Sequence, residues 1–316
     1  MTNSEQLTPR QELLLKIKEH NNGREIRTPR GIRWGELILP AKDETLNKNA
    51  EGLKVLAICS WTLGFLAFET LKLIERRLPG ELNIVGLVTD DPTDGNAKIS
   101  KKRRFWRYYD SNQQEEFERG IIESALTFGI PCYTGEVKNE FFRNLLKKWN
   151  PDLVVVSAFG QIIDTPIIDY PAYGIYNVHP ADLLHHFGAG PQPWEDLVAR
   201  KAETTRVTIH KVSTTIDSGD IVGQSSPINV RLKNNIFTDN VRLVGEKTLL
   251  PVDHMVAELV CQIILRRKAG MVGPLNKIDF ERLFSQKFKD KLMESIDPAS
   301  RGHLLPLPAE DIKFTV

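Results

Sequence analysis

Three short apolar runs restrict this chain more than any other feature. Leu53 to Ser60 is almost continuously apolar, and so are Asn83 to Thr89 and Asp152 to Ser157. Strands buried on both faces of a parallel sheet read this way. Between the first two runs, at about 64–77, Leu66, Ala67, Thr70, Leu71 and Ile74 recur on one side of a helix. Strand, helix and parallel strand require a right-handed crossover. The alternation continues to Asn177, which predicts a doubly wound α/β fold with a mostly parallel sheet.

The remaining pattern fills in this frame. Helices are expected over about 113–128 and 139–149, with a short strand at 131–133 between them. A last strand pattern covers about 221–230, and a long helix runs over 240–268 with a kink expected at Pro251. Another amphipathic helix is expected at 279–293, followed by an extended, proline-punctuated segment at 304–308. Residues 1–53 look like an extension, with a short helix at 9–20 and turn signals around a short strand at 24–40. It reads as a packing arm or homodimer element, or as an arm over a ligand that offers Arg27, Arg30 and Arg33. Three segments are therefore expected: the extension over 1–53, a catalytic domain over 54–235, and C-terminal helices and tail over 236–316.

Composition excludes several classes. Of 316 residues, 41% are hydrophobic and 26% charged, so a core of ordinary size needs no staple. The formal net charge of +1 argues against nucleic acid or membrane as a partner. Three scattered cysteines without a C-x-x-C argue against a disulfide framework or cysteine zinc site. The first residues are polar, with no signal-peptide pattern, and no apolar run approaches the ~18–20 residues that span a bilayer. A cytoplasmic protein is expected.

The chemistry concentrates between Gly174 and Asp220. Asn177 and His179 are two apart in a strand, so both face one side. They lie where a strand ends at Pro180, and open α/β sheets bind ligands at the carboxyl ends of their strands. The glycines of 188–190 allow close backbone approach, and Asp217 sits in a turn with Ser218, Gly219 and Asp220. A carboxamide, an imidazole and a carboxylate can stabilise an oxyanion and move a proton. Taken alone, Asp217 and Asp220 equally fit an ordinary surface turn. His185 and His186 add imidazoles near His179, but adjacent histidines on a strand point apart and no common zinc spacing is present, so no metal is expected. The first strand-to-helix turn, Ser60-Trp61-Thr62-Leu63-Gly64, has one glycine and is not a dinucleotide cradle. In the turn-rich stretch 90–112, five cations and four aromatics alternate over 101–109, among them Arg104 and Trp106. Such a loop suits a phosphate and a stacked base, or packs its aromatics back on the body.

Gly174 to Pro180, Gly188 to Pro191, Val207 to His210 and Ile216 to Ile221, in this order and spacing, resemble the folate-dependent formyltransferase family. That family includes glycinamide ribonucleotide, methionyl-tRNA and amino-sugar N-formyltransferases. The resemblance covers about 54–270 and extends upstream to Val154–Ile163. It implies a Rossmann-like sheet and a donor, N10-formyltetrahydrofolate, whose formyl group passes to a primary amine without a metal. By resemblance the catalytic residues are Asn177, His179 and Asp217. Asn177 and His179 would stabilise the oxyanion, and Asp217 would steer the proton and orient His179. The folate would lie against Phe159, Gly160, Gln161, Ile162 and Ile163 and the loop before Asp217, with Ile216, Gly219 and His210 in support. Trp61, Thr62, Asp182, Gly188 and Gly190, with Arg104 and Trp106, are the residues expected near the acceptor.

The chain also departs from the family. The family reads His-Pro-Ser-Leu-Leu-Pro where this chain has His179-Pro180-Ala181-Asp182-Leu183-Leu184, so acceptor contacts are expected to differ there. The single glycine at 60–64 argues against a ribonucleotide acceptor. The tail after 270 is too short for the β-barrel domain of the tRNA enzymes, and Pro191 to Trp194 is more similar to the sugar enzymes. The expected acceptor is a small-molecule amine, with a nucleotide-linked amino sugar as the particular guess. The alternatives are a formyltetrahydrofolate hydrolase, a methionyl-tRNA formyltransferase-like enzyme, and a non-catalytic folate- or nucleotide-binding module.

Overall fold

The structure, a computed structural model, describes residue 15 and residues 25–43, 51–90, 120–185, 189–190, 193–231, 240–249 and 251–279. The helix expected at 9–20 (apart from Leu15), the 101–109 loop and the helix expected after 279 lie outside the described residues.

The apolar runs are the centre of one sheet. Strand β3 (Leu53–Cys59) is followed by helix α1 (Trp61–Arg77) and strand β4 (Leu82–Val88). Helix α2 (120–127) leads to β5 (Cys132–Tyr133), and α3 (Glu140–Trp149) leads to β6 (Leu153–Ser157). After the short α4 (Thr165–Ile168) comes β7 (Ile175–His179). The strands β5, β4, β3, β6 and β7 are neighbours in that order and all parallel. The chain therefore winds one way from β3 and then returns to its other side. The reversal lies between β3 and β6, where the carboxyl ends of the strands leave a crevice.

Alternation along the strands explains why both faces are apolar. On β3, Val55, Ala57 and Cys59 join the core under α1, while Leu56 and Ile58 join the core under α3. α1 enters that crevice closely: a Cβ on Gly64 would stand 2.9 Å from the Ser157 carbonyl oxygen. The helix begins there only because residue 64 has no side chain.

Antiparallel strands close both edges. β1 (Glu25–Arg27) and β2 (Leu37–Leu39) pair with each other, and β2 pairs with β5, so the N-terminal extension adds two strands to the sheet. At the other edge β9 (Thr208–Lys211) pairs with β7, and β10 (Ile221–Gln224) pairs with β9. The strand expected over 221–230 is broken. Ser225, Ser226 and Pro227 turn the chain, and β11 (Ile228–Asn229) pairs instead with β8 (Thr204–Thr205). Pro227 lacks the N–H that a continuous ladder needs.

The long C-terminal helix is also corrected. α5 (Pro193–Ala199) precedes β8, and α6 (Val241–Leu249) and α7 (Val252–Lys268) follow β11. Pro251 caps the start of α7, so the proline begins a helix instead of kinking one. Residues 241–268 contain an 18-residue window of mean hydropathy 1.5, long and apolar enough to cross a membrane, contrary to the expectation that no apolar run approaches that length. Of that window 88% is buried within the molecule, as in a core helix.

Candidate functional site

β7 carries the two polar side chains that the sequence places on one face, and its partner strand adds a third. In the β7–β9 register Asn177 stands opposite His210. Cross-strand partners on one face of a sheet are near neighbours. The His210 ring uses Nδ1 to donate to the Lys211 carbonyl at 2.8 Å. That leaves Nε2 of the neutral ring as an acceptor, and the Asn177 amide nitrogen donates to it at 3.1 Å.

Asp217 comes from the loop between β9 and β10. Its backbone is left-handed, with φ of 50°, a conformation aspartate tolerates better than most residues. One carboxylate oxygen accepts from the Asn177 amide at 3.2 Å and lies 3.6 Å from His179 Nδ1 and 3.5 Å from His210 Nε2. The other accepts the Gly190 N–H at 2.8 Å. Burial by itself would raise the Asp217 carboxyl. The charge of His179 and the Gly190 N–H outweigh it, and the group is held well below the usual carboxylate range. A negative charge is thus fixed beside two imidazoles and one carboxamide.

Gly219 keeps this loop tight. A Cβ there would fall 1.8 Å from the Lys211 carbonyl oxygen, so only glycine lets the loop return onto β9. Gly190, at φ of 91°, makes the bend that aims its N–H at Asp217.

These groups open on a cavity of about 420 Å³ at the crevice between β3 and β6. One wall is the segment after β6, with Phe159, Gly160, Gln161, Ile162 and Ile163. Another is the loop Val212–Asp217, including Ile216. Trp61 and Trp194 stand side by side at a third, ring centroids 5.0 Å apart. The lining is mainly apolar, with Asn177, His179, His210 and Asp217 at one end.

Most of the residues expected at the site therefore share this cavity. Asp182 does not. It accepts from Gln224 Nε2 and from His185 Nδ1, each at 2.9 Å, and lies 3.6 Å from Arg206 Nε, away from the cavity. Thr208 explains the turn, because its hydroxyl donates to the Ala181 carbonyl at 2.6 Å and ties 181 onto β9. Gly219 shapes the loop but does not line the cavity. Thr62 lies in the first turn of α1. Gly188, Arg104 and Trp106 lie outside the described residues. Trp194 and Asp90 were absent from the expected set. Trp194 was legible as a large apolar residue beside a glycine-rich loop, and Asp90 as a carboxylate at the carboxyl end of a strand. Among the described residues no group of three or more His, Cys, Asp or Glu is placed to hold a metal ion.

A doubly wound sheet with a carboxamide, imidazoles and a carboxylate over its strand ends is equipped for chemistry at a carbonyl carbon. The chain belongs to the formyl transferase family, whose sequence pattern it matches over residues 81–250. It is 36% identical over 129 residues to the methionyl-tRNA formyltransferase of Syntrophus aciditrophicus (strain SB), covering 40% of this chain and 41% of that one. It is 31% identical over 186 residues to the methionyl-tRNA formyltransferase of Bacillus licheniformis, covering 58% of this chain and 55% of that one. The chain thus spans 41% and 55% of the length of these two curated relatives. Glycinamide ribonucleotide transformylase 1 from Symbiobacterium toebii superposes with a TM-score of 0.50 at 14% identity, covering 72% of this chain and 94% of that one. At that identity the likeness is one of fold.

Proposed function

We propose that this chain transfers the formyl group of N10-formyltetrahydrofolate to the primary amine of a small molecule, a nucleotide-linked amino sugar being the first acceptor to test. The observation that carries the reading is the ionised Asp217 beside Asn177 and His179 at the end of a mainly apolar cavity. The lining fits a flat heterocycle: apolar side chains at 159, 162, 163, 212 and 216 surround it. The three cysteines, all free and buried, support a reducing compartment, the cytoplasm.

When bound, N10-formyltetrahydrofolate supplies the formyl carbon and the leaving nitrogen. The bond formed is from the acceptor nitrogen to the formyl carbon, and the bond broken is from that carbon to N10. Asn177 and His179 hold the negative charge that collects on the formyl oxygen. Both amide hydrogens of Asn177 are engaged, one by His210 and one by Asp217. The longer bond, to Asp217 at 3.2 Å, is the one the oxyanion would take over. Asp217 favours the cationic form of the His179 ring by the same attraction that lowers its own carboxyl. Asp217 stays ionised, and its charge steers the proton lost by the amine to the leaving nitrogen.

The test is incubation with N10-formyltetrahydrofolate, with and without a panel of amines that includes nucleotide-linked amino sugars. Tetrahydrofolate should form only when an amine is present. Formate released without any amine would assign a hydrolase, and no turnover under either condition would sink the proposal.

A further inference from the structure

We infer that Asp90 is a positioning residue: it holds the segment 158–163 in the shape that receives the folate. The inference rests on the function proposed above and concerns a residue outside the reacting set.

Asp90 lies just past Thr89 at the carboxyl end of β4 and is 6% exposed. One carboxylate oxygen accepts the Gly160 N–H at 2.6 Å, and the other accepts the Gln161 side-chain amide at 3.2 Å. The backbone N–H of Asp90 in turn donates to Ser60 Oγ at 2.8 Å. Ser60 N–H donates to the Ser157 carbonyl at 3.1 Å. The carboxyl ends of β4, β3 and β6 are thereby tied together at the point where the winding reverses.

The segment needs this restraint. Ala158 has φ of 55°, which a non-glycine residue adopts only when its surroundings fix it. Gln161 is spent inside the protein. Its amide nitrogen donates to Asp90 and to the Gly135 carbonyl at 3.2 Å, and its oxygen accepts the Val137 N–H at 3.1 Å. Gln161, expected from the sequence as a cofactor contact, lines the cavity and also braces the segment through its side-chain amide. With the Gly160 N–H and the Gln161 side-chain amide bonded within the protein, the side chains of this wall that carry no such bonds are Phe159, Ile162 and Ile163. Ile162 remains 49% exposed, an apolar side chain kept at the cavity mouth.

The charge type follows from the partners. Gly160 N–H and Gln161 Nε2 are both donors, so the group between them must accept on both oxygens. Asparagine has the same shape but would turn an NH₂ toward one of the two donors. Asn177 and His179 stand on β7 and Asp217 in the β9–β10 loop, and the hydrogen bonds of Asn177 to His210 and Asp217, and of Asp217 to Gly190, do not run through residue 90.

The experiment uses the full chain. Tetrahydrofolate affinity is measured by calorimetric titration, steady-state constants are measured with N10-formyltetrahydrofolate, and hydrogen exchange is followed at the Gly160 amide. Asp90→Asn should raise KM for the folate and Kd for tetrahydrofolate together by about ten- to a hundredfold. It should leave kcat within about threefold, because the reacting residues do not touch it. The Gly160 amide, protected in the wild type, should exchange faster. Gln161→Leu, which keeps the Gly160 bond, should shift KM in the same direction by less, and it decides the matter if Asp90→Asn does not fold. Unchanged KM and Kd in the folded variants, even with a lowered Tm, would overturn the inference and leave the proposed function intact. A wild type that binds no tetrahydrofolate would overturn both.

Discussion

Asp217 and Asp182 look alike from the sequence, since each is an aspartate in a turn within reach of a histidine. Folding makes them opposites. Asp217 lies among His179, His210, Asn177 and the Gly190 N–H, and the two rings beside it are themselves buried. Asp182 pairs with His185, whose side chain is 60% exposed, and with Gln224. Burial would raise the Asp182 carboxyl, yet the Gln224 and His185 hydrogen bonds and the charges of His185 and Arg206 lower it. Both carboxyls are thus depressed, but only one can pass its field to a ligand. A depressed carboxylate becomes functional when its partners share a cavity with it. Where the partners face water, the same shift describes a surface pair.

The sharpest way to break this contrast is to neutralise each carboxylate. Asp217→Asn should lower kcat by roughly 100- to 1000-fold, as should Asn177→Ala and His179→Ala, because each removes a group that acts on the transition state. The double variant Asn177→Ala/Asp217→Asn should fall well short of the product of the two losses, since the residues share a hydrogen bond. If the losses multiply, the two act separately and the single site described above is wrong.

Acid titration gives the next largest difference. A carboxyl whose folded-state pKa lies below its unfolded value of about 3.9 stabilises the fold above that value. That stability is lost as pH falls through the depressed folded value. Both wild-type aspartates should therefore contribute to a fall in Tm below about pH 4. Asp217→Asn should flatten the fall more than Asp182→Asn, because the Asp217 carboxyl is held further down and the rings beside it are buried. Tm followed from pH 6 to pH 2 in the two variants checks this, and a larger flattening in Asp182→Asn would reverse the ranking.

Loop geometry comes third. Gly219→Ala forces a Cβ against the Lys211 carbonyl and should cost about 1–3 kcal/mol in urea unfolding. Gly190→Ala meets no atom within 4 Å and carries only the penalty of φ at 91°, roughly 1–2 kcal/mol. If the two cost the same, the close return of the loop onto β9 is not what fixes Asp217.

The fold was legible where one local rule decided it. Continuous apolar runs named β3, β4 and β6, and the i, i+2 spacing put Asn177 and His179 on one face. The misses have a different cause. Pro227 and Pro251 were each read within a longer pattern, but a missing N–H ended one strand and began one helix. The pairing of β2 with β5 joins residues about a hundred positions apart, and nothing within 37–39 specifies its partner. At the site, the direction of a side chain depended on neighbours far away in sequence. Gln161 turned inward because Asp90 and the backbone at 135 and 137 were there to receive it. Asp182 turned away from the cavity because Gln224 on β10 donates to it there.

That last placement supplies the smallest expected effect. Asp182→Asn keeps an oxygen for Gln224 and loses the charge facing His185 and Arg206. Half-exposed ion pairs of this kind contribute about 0–1 kcal/mol, so the change in stability should stay within that range. It should also shrink at about 1 M salt, where surface charges are screened. Activity should change by no more than about twofold, because the turn after His179 is still held by Thr208 through Ala181. Measuring kcat and KM for acceptor and folate in Asp182→Asn beside Asp217→Asn decides between the two carboxylates directly. A rise in acceptor KM alone would show that Asp182 reaches the substrate after all, and the acceptor would then lie across the turn at 182–185 and not in the cavity.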